Sequence, residues 1–142
     1  MWEERYSESR GRKYYYNRET KESKWERPAS YKGLHILFKH SESRRPSSQR
    51  TPVIVLSKEA ARAEAKQTFE KLKESRETRK DFEEVARERS DCSSASRGGD
   101  LGEWIEGTMH PDFESAIKDT PLDSMHEGIV ETPSGFHIIY RY

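Results

Sequence analysis

The stretch that decides the fold is Leu34-His35-Ile36-Leu37-Phe38-Lys39-His40-Ser41-Glu42-Ser43-Arg44-Arg45. Its first half alternates apolar residues with His35, Leu37 and Lys39, which is the period of a β-strand that faces two different environments. The second half is a polar loop. Because Lys39, Arg44 and Arg45 would then meet at one strand end, the stretch predicts a site for a doubly charged phosphate, which arginine holds through a bidentate fork. On charge alone, a solvated basic loop explains the same residues.

Composition limits the classes of protein that the chain can belong to. Of its 142 residues 37% are charged, yet the formal net charge is +0. This balance gives no bulk field for nucleic acid or for a membrane surface, and we expect neither as a direct partner. No apolar run approaches the ~20 residues of a membrane span, and the N-terminal residues lack the apolar core of a signal peptide. The single cysteine, Cys92, excludes an intramolecular disulfide and fits a reducing compartment.

Residues 1–28 differ in composition from the rest of the chain. They contain no Ile, Leu or Val, but hold the aromatic residues Trp2, Tyr6, Tyr14, Tyr15, Tyr16 and Trp25. So short a segment needs a few large aromatic side chains to form any core. Turns at residues 10–12 and 18–20 divide it into three short strands.

These N-terminal residues resemble a WW domain. The resemblance is carried by Trp2, Gly11, Tyr14-Tyr15-Tyr16-Asn17, Trp25 and Pro28. It implies a structural buckle of Trp2, Tyr15 and Pro28 on one face. It also implies a peptide-binding face for proline-rich or phospho-Ser/Thr-Pro segments, formed by Arg5, Ser7, Tyr14 and Trp25, with Tyr14 and Trp25 around the proline ring.

The remaining pattern predicts helices between strands. Ser57 is placed to cap a helix over residues 58–74, whose apolar stripe is Ala61, Ala65, Phe69 and Leu72. A second helix is predicted over residues 81–89, a short one after Cys92, and another through residues 116–117. Residues 128–132 and 136–141 read as a hairpin. Residues 29–33 are predicted to be a short linker that spans at most ~17 Å.

Five motifs in one order resemble the parvulin peptidyl-prolyl isomerases, and with the WW domain they resemble the Pin type. They are His35-Ile36-Leu37-Phe38-Lys39-His40-Ser41, Ser43-Arg44-Arg45-Pro46, Ser90-Asp91-Cys92-Ser93-Ser94-Ala95, Gly99-Asp100-Leu101-Gly102 and Ser134-Gly135-Phe136-His137-Ile138-Ile139. The implied fold is α+β. It places a four-stranded antiparallel sheet with about four surrounding helices over residues 34–142, after the three-stranded, all-β WW domain over residues 1–28.

The resemblance also implies three groups of site residues. Lys39, Arg44 and Arg45 match the phosphate-binding triad. Leu101, Met109 and Phe113 match the proline pocket, with His110 where the relatives carry a glutamine. His35, Cys92, Thr132, Ser134 and His137 match the catalytic group beneath the isomerising peptide bond.

Other chemistries use the same residue types. Cys92 with His35 and His137 would suit a cysteine nucleophile or a zinc site, but their spacing fits no compact ligand motif, and we expect no metal and no cofactor. Alternatively, His35 and His137 could have a purely structural role, as a buried pair that hydrogen-bonds within the core. The resemblance implies a monomer that isomerises phosphorylated Ser/Thr-Pro bonds in proteins without a covalent step, in nucleus and cytoplasm. The alternative is a phosphopeptide-binding adaptor with little isomerase activity.

Overall fold

The structure, a computed structural model, describes residues 2–26 and 29–142. In chain order its elements are β1 (Trp2–Ser7), β2 (Arg12–Asn17), β3 (Ser23–Lys24), β4 (Ser30–Phe38), α1 (Lys58–Lys73), α2 (Thr78–Arg89), a 3₁₀ helix (Ser93–Arg97), β5 (Asp100–Ile105), α3 (Pro111–Asp119), β6 (Ser124–Met125), β7 (Val130–Thr132) and β8 (Gly135–Arg141). No helix in the described part is long and apolar enough to cross a membrane.

Two antiparallel sheets organise these elements. The first has the order β1-β2-β3, and the second has the order β5-β4-β8-β6 with β7 also paired to β8. The predicted α+β arrangement is confirmed. The fourth position of the larger sheet is shared by two short strands, because β6 and β7 each cover a different part of β8.

Strand β4 separates the larger domain into two layers. Leu34, Ile36 and Phe38 are at most 1% exposed and pack on α1 and α2, together with alternate residues of β8. His35 and Leu37 face the opposite side, where α3 contributes to a second apolar cluster. Each large apolar side chain buried in this way is worth about 1.5–3 kcal/mol, so the alternation in the sequence fixes which face of β4 carries the histidine.

Helix α1 follows its sequence signals closely. The Ser57 hydroxyl accepts a hydrogen bond from the Ala60 N–H at 3.1 Å, which caps the helix. The predicted stripe of Ala61, Ala65, Phe69 and Leu72 is buried. Helix α2 begins at Thr78, three residues earlier than its apolar pattern indicated, because its first turn is polar.

The expectation of a linker over residues 29–33 does not match the structure. Strand β4 begins at Ser30, and its first residues pair with the end of β5, Tyr31 opposite Trp104. The two aromatic rings lie 6.3 Å apart and pack on the layer beneath α3. The strand therefore extends toward the smaller domain, since aromatic packing and ladder hydrogen bonds outweigh the polar character of this segment.

The N-terminal sheet has the strand number predicted for a WW domain. Trp2 and Tyr15 lie on one face, where the Lys24 ammonium is 5.0 Å from the centre of the Trp2 indole. The third member of the predicted buckle, Pro28, lies outside the described residues. A Cβ atom built on Gly107 would lie 3.9 Å from the Trp2 indole nitrogen, so this face approaches the turn after β5.

Gly99 gives a prediction about stability. It has φ +84°, and a Cβ atom there would overlap the carbonyl oxygen of His35. Gly99→Ala should therefore cost about 2–4 kcal/mol, from left-handed strain and overpacking together. Gly102→Ala is the matched control, because Gly102 has φ +69° but no atom within 4 Å of the added methyl. Urea unfolding of both variants measures the difference, and equal losses would contradict the steric argument.

Candidate active site

One cavity of about 320 Å³ gathers most of the residues that the sequence placed in the site. It opens beside the face of β4 that carries His35. Its lining comprises His35, Leu37, Arg44, Cys92, Leu101, Thr108, Met109, His110, Phe113, Thr132, Ser134 and His137. All five predicted catalytic residues and all four predicted proline-pocket residues are among them. Their roles stay predictions, but the structure shows that they share one concave space.

A chain of hydrogen bonds orders the polar floor of the cavity. The Nδ1 atoms of His35 and His137 are 3.0 Å apart, and His137 Nε2 is 2.7 Å from Thr132 Oγ1. The Ser134 N–H donates to the same threonine oxygen at 3.2 Å. In each of these contacts one atom must donate the hydrogen and the other accept it. The series of hydrogen bonds therefore fixes the orientation of both imidazole rings.

The charge state of His137 follows from its surroundings. Burial lowers the pKa of His137 well below its ordinary value, and the nearby rings of His35 and His110 lower it further. The imidazole is therefore neutral across the physiological range. A neutral ring between Thr132 and His35 transmits hydrogen bonds without placing a charge in the core.

Cys92 is a half-buried thiol at the other side of His35. Burial raises the pKa of Cys92, but hydrogen bonding and charge from His35, with a further contribution from Ser94, outweigh it and lower the pKa to about 6. At neutral pH the group is mostly a thiolate.

The apolar wall is built on Phe113, in the first turn of α3. Its ring meets His35 edge-on at 5.6 Å and His137 at 5.4 Å between ring centroids. Leu101 from β5 and Met109 from the turn before α3 pack on the same cluster. The wall is therefore rigid at its base and adaptable at Met109, whose unbranched side chain fills irregular space.

The three predicted phosphate ligands are not placed alike. Arg44 lines the cavity, and its backbone N–H donates to the Pro133 carbonyl at 2.9 Å, which ties the loop to the turn before β8. Lys39 lies outside the cavity, with its ammonium donating to the Ser47 carbonyl at 2.8 Å. Arg45 is exposed on the bend that follows Arg44. The convergence of all three on one anion stays a prediction.

Glu114 is a residue of the site that the sequence analysis missed. It is only 6% exposed, and its carboxylate accepts hydrogen bonds from the N–H groups of Gly107 and Met109, each at 3.0 Å. It thereby shapes the turn that carries Met109 and His110 into the cavity. The available signal was an acidic residue on the otherwise apolar face of a short helix.

Ser90 and Asp91, which precede Cys92 in its motif, hold the edge of β4. The Ser90 hydroxyl accepts from the Leu37 N–H, and the Asp91 carboxylate accepts from the Lys39 N–H, both at 3.0 Å. The two residues thus continue the pairing of β4 beyond β5 and hold Cys92 beside the strand. Polar residues that satisfy a strand edge in this way leave no periodic pattern in a sequence.

The smaller domain carries a second cavity of about 260 Å³, lined by Tyr6, Ser7, Tyr14, Ser23, Lys24 and Trp25. Tyr14 and Trp25 meet edge-on, with ring centroids 6.0 Å apart. The Arg12 guanidinium lies 4.7 Å from the centre of the Trp25 ring. Of the four residues predicted to bind peptide, Arg5 is outside the lining, because it pairs with Glu3 at 2.9 Å and covers the ring of Tyr16.

Metal-binding side chains are not clustered in the structure. Across residues 2–26 and 29–142, no group of three or more His, Cys, Asp or Glu side chains is placed to hold a metal ion.

Cys92 gives a prediction about pH. The thiolate is the species that alkylating agents attack, so the rate of iodoacetamide reaction with the folded chain should rise with a midpoint near pH 6. In urea the midpoint should return to about 8.5, since His35 no longer lies nearby. As the only cysteine in the chain, Cys92 gives an unambiguous signal by mass spectrometry. A folded-state midpoint above 8 would refute the assignment.

Glu114 gives a prediction about the turn before α3. Glu114→Gln removes the negative charge that both N–H groups face and places an amide donor against the Gly107 N–H, which costs about 1–3 kcal/mol. Hydrogen exchange at the amides of Gly107 and Met109 should accelerate at least about tenfold, and the melting temperature should fall. Asp119→Asn, an exposed carboxyl on the same helix, serves as the control. Unchanged exchange in Glu114→Gln would show that the turn is held by other contacts.

The family comparisons divide the chain as the two sheets do. Residues 35–142 match the sequence model of the PPIC-type PPIASE domain, also called Rotamase. Residues 1–28 match the WW domain. The two matches leave only residues 29–34 unassigned, and most of these belong to β4.

Individual relatives extend over nearly the whole chain. Peptidyl-prolyl cis-trans isomerase ESS1 of Saccharomyces cerevisiae is 42% identical over 156 residues, which covers 99% of this chain and 91% of that protein. Peptidyl-prolyl cis-trans isomerase pin1 of Schizosaccharomyces pombe is 38% identical and covers 99% and 94%. The solved structure of ESS1 from Candida albicans superimposes with a TM-score of 0.71 at 29% identity, covering 99% and 93%. This chain belongs to the PPIC-type peptidyl-prolyl cis-trans isomerases and carries an N-terminal WW domain.

Proposed function

We propose that this peptidyl-prolyl isomerase acts on bonds between a phosphorylated Ser or Thr and proline, by a non-covalent mechanism. The observation that carries the proposal is the composition of the 320 Å³ cavity. It combines an apolar wall of Leu101, Met109 and Phe113 with Arg44 at its rim. A proline ring suits the wall, and a phosphate on the preceding residue suits the arginine, with Lys39 and Arg45 on the same loop.

Rotation about a prolyl peptide bond needs neither a nucleophile nor an acid–base pair. The peptide C–N bond rotates over a barrier of ~18–20 kcal/mol, because resonance places negative charge on the carbonyl oxygen. Uncatalysed prolyl isomerisation takes about 10–100 s. A turnover near 10 s⁻¹, which is common among enzymes, requires an acceleration of about a thousandfold, or roughly 4 kcal/mol. Holding the ring and the phosphate while the bond twists supplies a barrier reduction of this size.

The thiolate of Cys92 has a specific place in this mechanism. A negative charge near the carbonyl oxygen disfavours the planar amide, whose oxygen is already partly negative. The twisted amide carries less charge on that oxygen, so the repulsion weakens as the transition state forms. The hydrogen bonds from His35 through His137 to Thr132 keep the floor of the cavity fixed during the rotation. No bond to sulfur is formed.

Alanine substitution of the two arginines tests the phosphate assignment. Arg44→Ala/Arg45→Ala should lower kcat/KM for a phospho-Ser-Pro peptide at least about a hundredfold, because two charge-assisted contacts are lost. Activity on the matched unphosphorylated peptide should barely change. A protease-coupled assay measures both peptides. Arg76→Ala, an exposed arginine in the turn before α2, is the control, and equal losses on both peptides would overturn the assignment.

The WW domain serves as the second contact with a phosphorylated partner protein in this proposal. Its cavity presents the Tyr14–Trp25 pair, with Arg12 stacked on Trp25. The turn between β1 and β2 carries Glu8, whose carboxylate opposes an incoming phosphate. We therefore infer weak phosphopeptide binding by this domain.

Reversal of charge at Glu8 tests this inference. Glu8→Arg should tighten phosphopeptide binding about two- to fivefold at low salt and less at high salt, because an exposed charge is screened. Fluorescence anisotropy with a labelled phosphopeptide at two ionic strengths measures the change. Glu70→Arg on the exposed face of α1 makes the same change in net charge elsewhere. Equal affinities for Glu8→Arg and the unchanged chain would defeat the electrostatic argument.

A further inference from the structure

An apolar groove lies beside the cation loop, outside the cavity already described. We call it the valine groove, after Val53 and Val55, which line it together with Leu56, Lys39 and Arg50. Its volume is about 320 Å³. Val53 is 70% exposed and Val55 is 82% exposed. The other large apolar residues exposed in the described part are Tyr6 and Trp25 of the WW cavity and the isolated Leu122.

The exposure of the two valines is fixed by the fold. Ile54 between them is buried, and its N–H donates to the Pro46 carbonyl at 2.8 Å. The Leu56 carbonyl accepts from the Ser41 N–H at 2.8 Å, which closes the segment onto the loop after β4. With Ile54 turned inward and both ends tied, Val53 and Val55 are held outward. An exposed apolar patch rimmed by polar residues is typical of an interaction site or a ligand-binding groove.

The groove is continuous with the catalytic cavity. A third depression of about 280 Å³ shares Cys92 with the cavity and shares Arg50 and Asp91 with the valine groove. Lys39, at the near end of the groove, belongs to the loop that carries Arg44. An extended peptide can therefore run from the cavity to the valines along one surface. The volume of the groove is enough for one or two side chains. A stable protein–protein interface buries ~800 Å² on each partner, so the groove suits a peptide better than a folded protein.

The order of residues in the substrate gives the direction. The proline lies in the cavity, and the phosphorylated residue precedes it at the cation loop. The chain that leaves on the far side of Lys39 is then the part before the phosphorylated residue. Lys39 and Arg50 attract the negatively charged phosphate of such a peptide, while the two valines favour contact with an aliphatic side chain.

We propose that the valine groove is a specificity subsite that receives an aliphatic side chain of the substrate, one to three residues before the phosphorylated Ser or Thr. The proposal rests on the proposed function and adds a sequence preference to it. A leucine half-buried in an open groove should raise affinity and kcat/KM about five- to tenfold over alanine.

The test compares four phospho-Ser-Pro peptides on the full chain. One has only alanines before the phosphoserine, and the others carry a single leucine at the first, second or third preceding position. We expect one leucine peptide to be favoured in both turnover and binding. In Val53→Thr/Val55→Thr, which keeps charge and shape, that advantage should fall below about twofold while the all-alanine peptide is unaffected. Leu122→Thr, an exposed apolar residue elsewhere, should leave the advantage unchanged.

Each other outcome has a definite meaning. No leucine advantage at any position, or an advantage that survives Val53→Thr/Val55→Thr, overturns the subsite. If the chain sediments as a dimer and Val53→Thr/Val55→Thr sediments as a monomer, the groove is occupied by a second copy of the chain. That result would also overturn the subsite. Selective binding without turnover would leave the subsite intact and defeat the proposed function. Circular dichroism confirms that the variants fold.

Discussion

The antiparallel pairing of β4 with β8 is the constraint on which the site depends. It places Leu37 opposite His137 and His35 opposite Ile139, so that the two histidines are diagonal neighbours on one face. Their Nδ1 atoms meet at 3.0 Å only in this register. A slip of β4 by one residue would turn His35 into the core beneath α1 and α2, away from His137. The burial of Ile36 and Phe38 on the opposite face therefore fixes the histidine contact, because a slip would expose them.

The elements around β4 and β8 have two different roles, apolar burial and support of the site. Helices α1 and α2 cover one face of the sheet and supply most of the apolar burial. The segment from Ser90 to Gly99 runs along the edge of β4 beyond β5, where Ser90 and Asp91 accept hydrogen bonds from its N–H groups and Gly99 allows a close backbone approach to His35. This segment carries Cys92 into the site. Stability and chemistry are thus built on opposite faces of one strand.

The sequence predicted the parts of the site that depend on alternation and on motif residues. It could not predict β5, because Gly102 and the acidic residues around it break the alternation and the strand exists through pairing with β4. It placed Lys39 on the face of His35, but β4 ends at Phe38 and the alternation does not continue. The role of Glu114 could not be predicted, because its carboxylate binds two backbone N–H groups of a turn, and such contacts leave no pattern in the sequence.

The distribution of charge follows from the same division. His137 is buried beside His35 in the cavity that His110 also lines, so a positive charge on it would be costly, and the ring stays neutral. The cations instead occupy the exposed loop after β4, where water screens them until an anion arrives. Because the loop and the sheet face are different elements, residues 44–56 can change in sequence without disturbing the hydrogen bonds that hold His35 and His137.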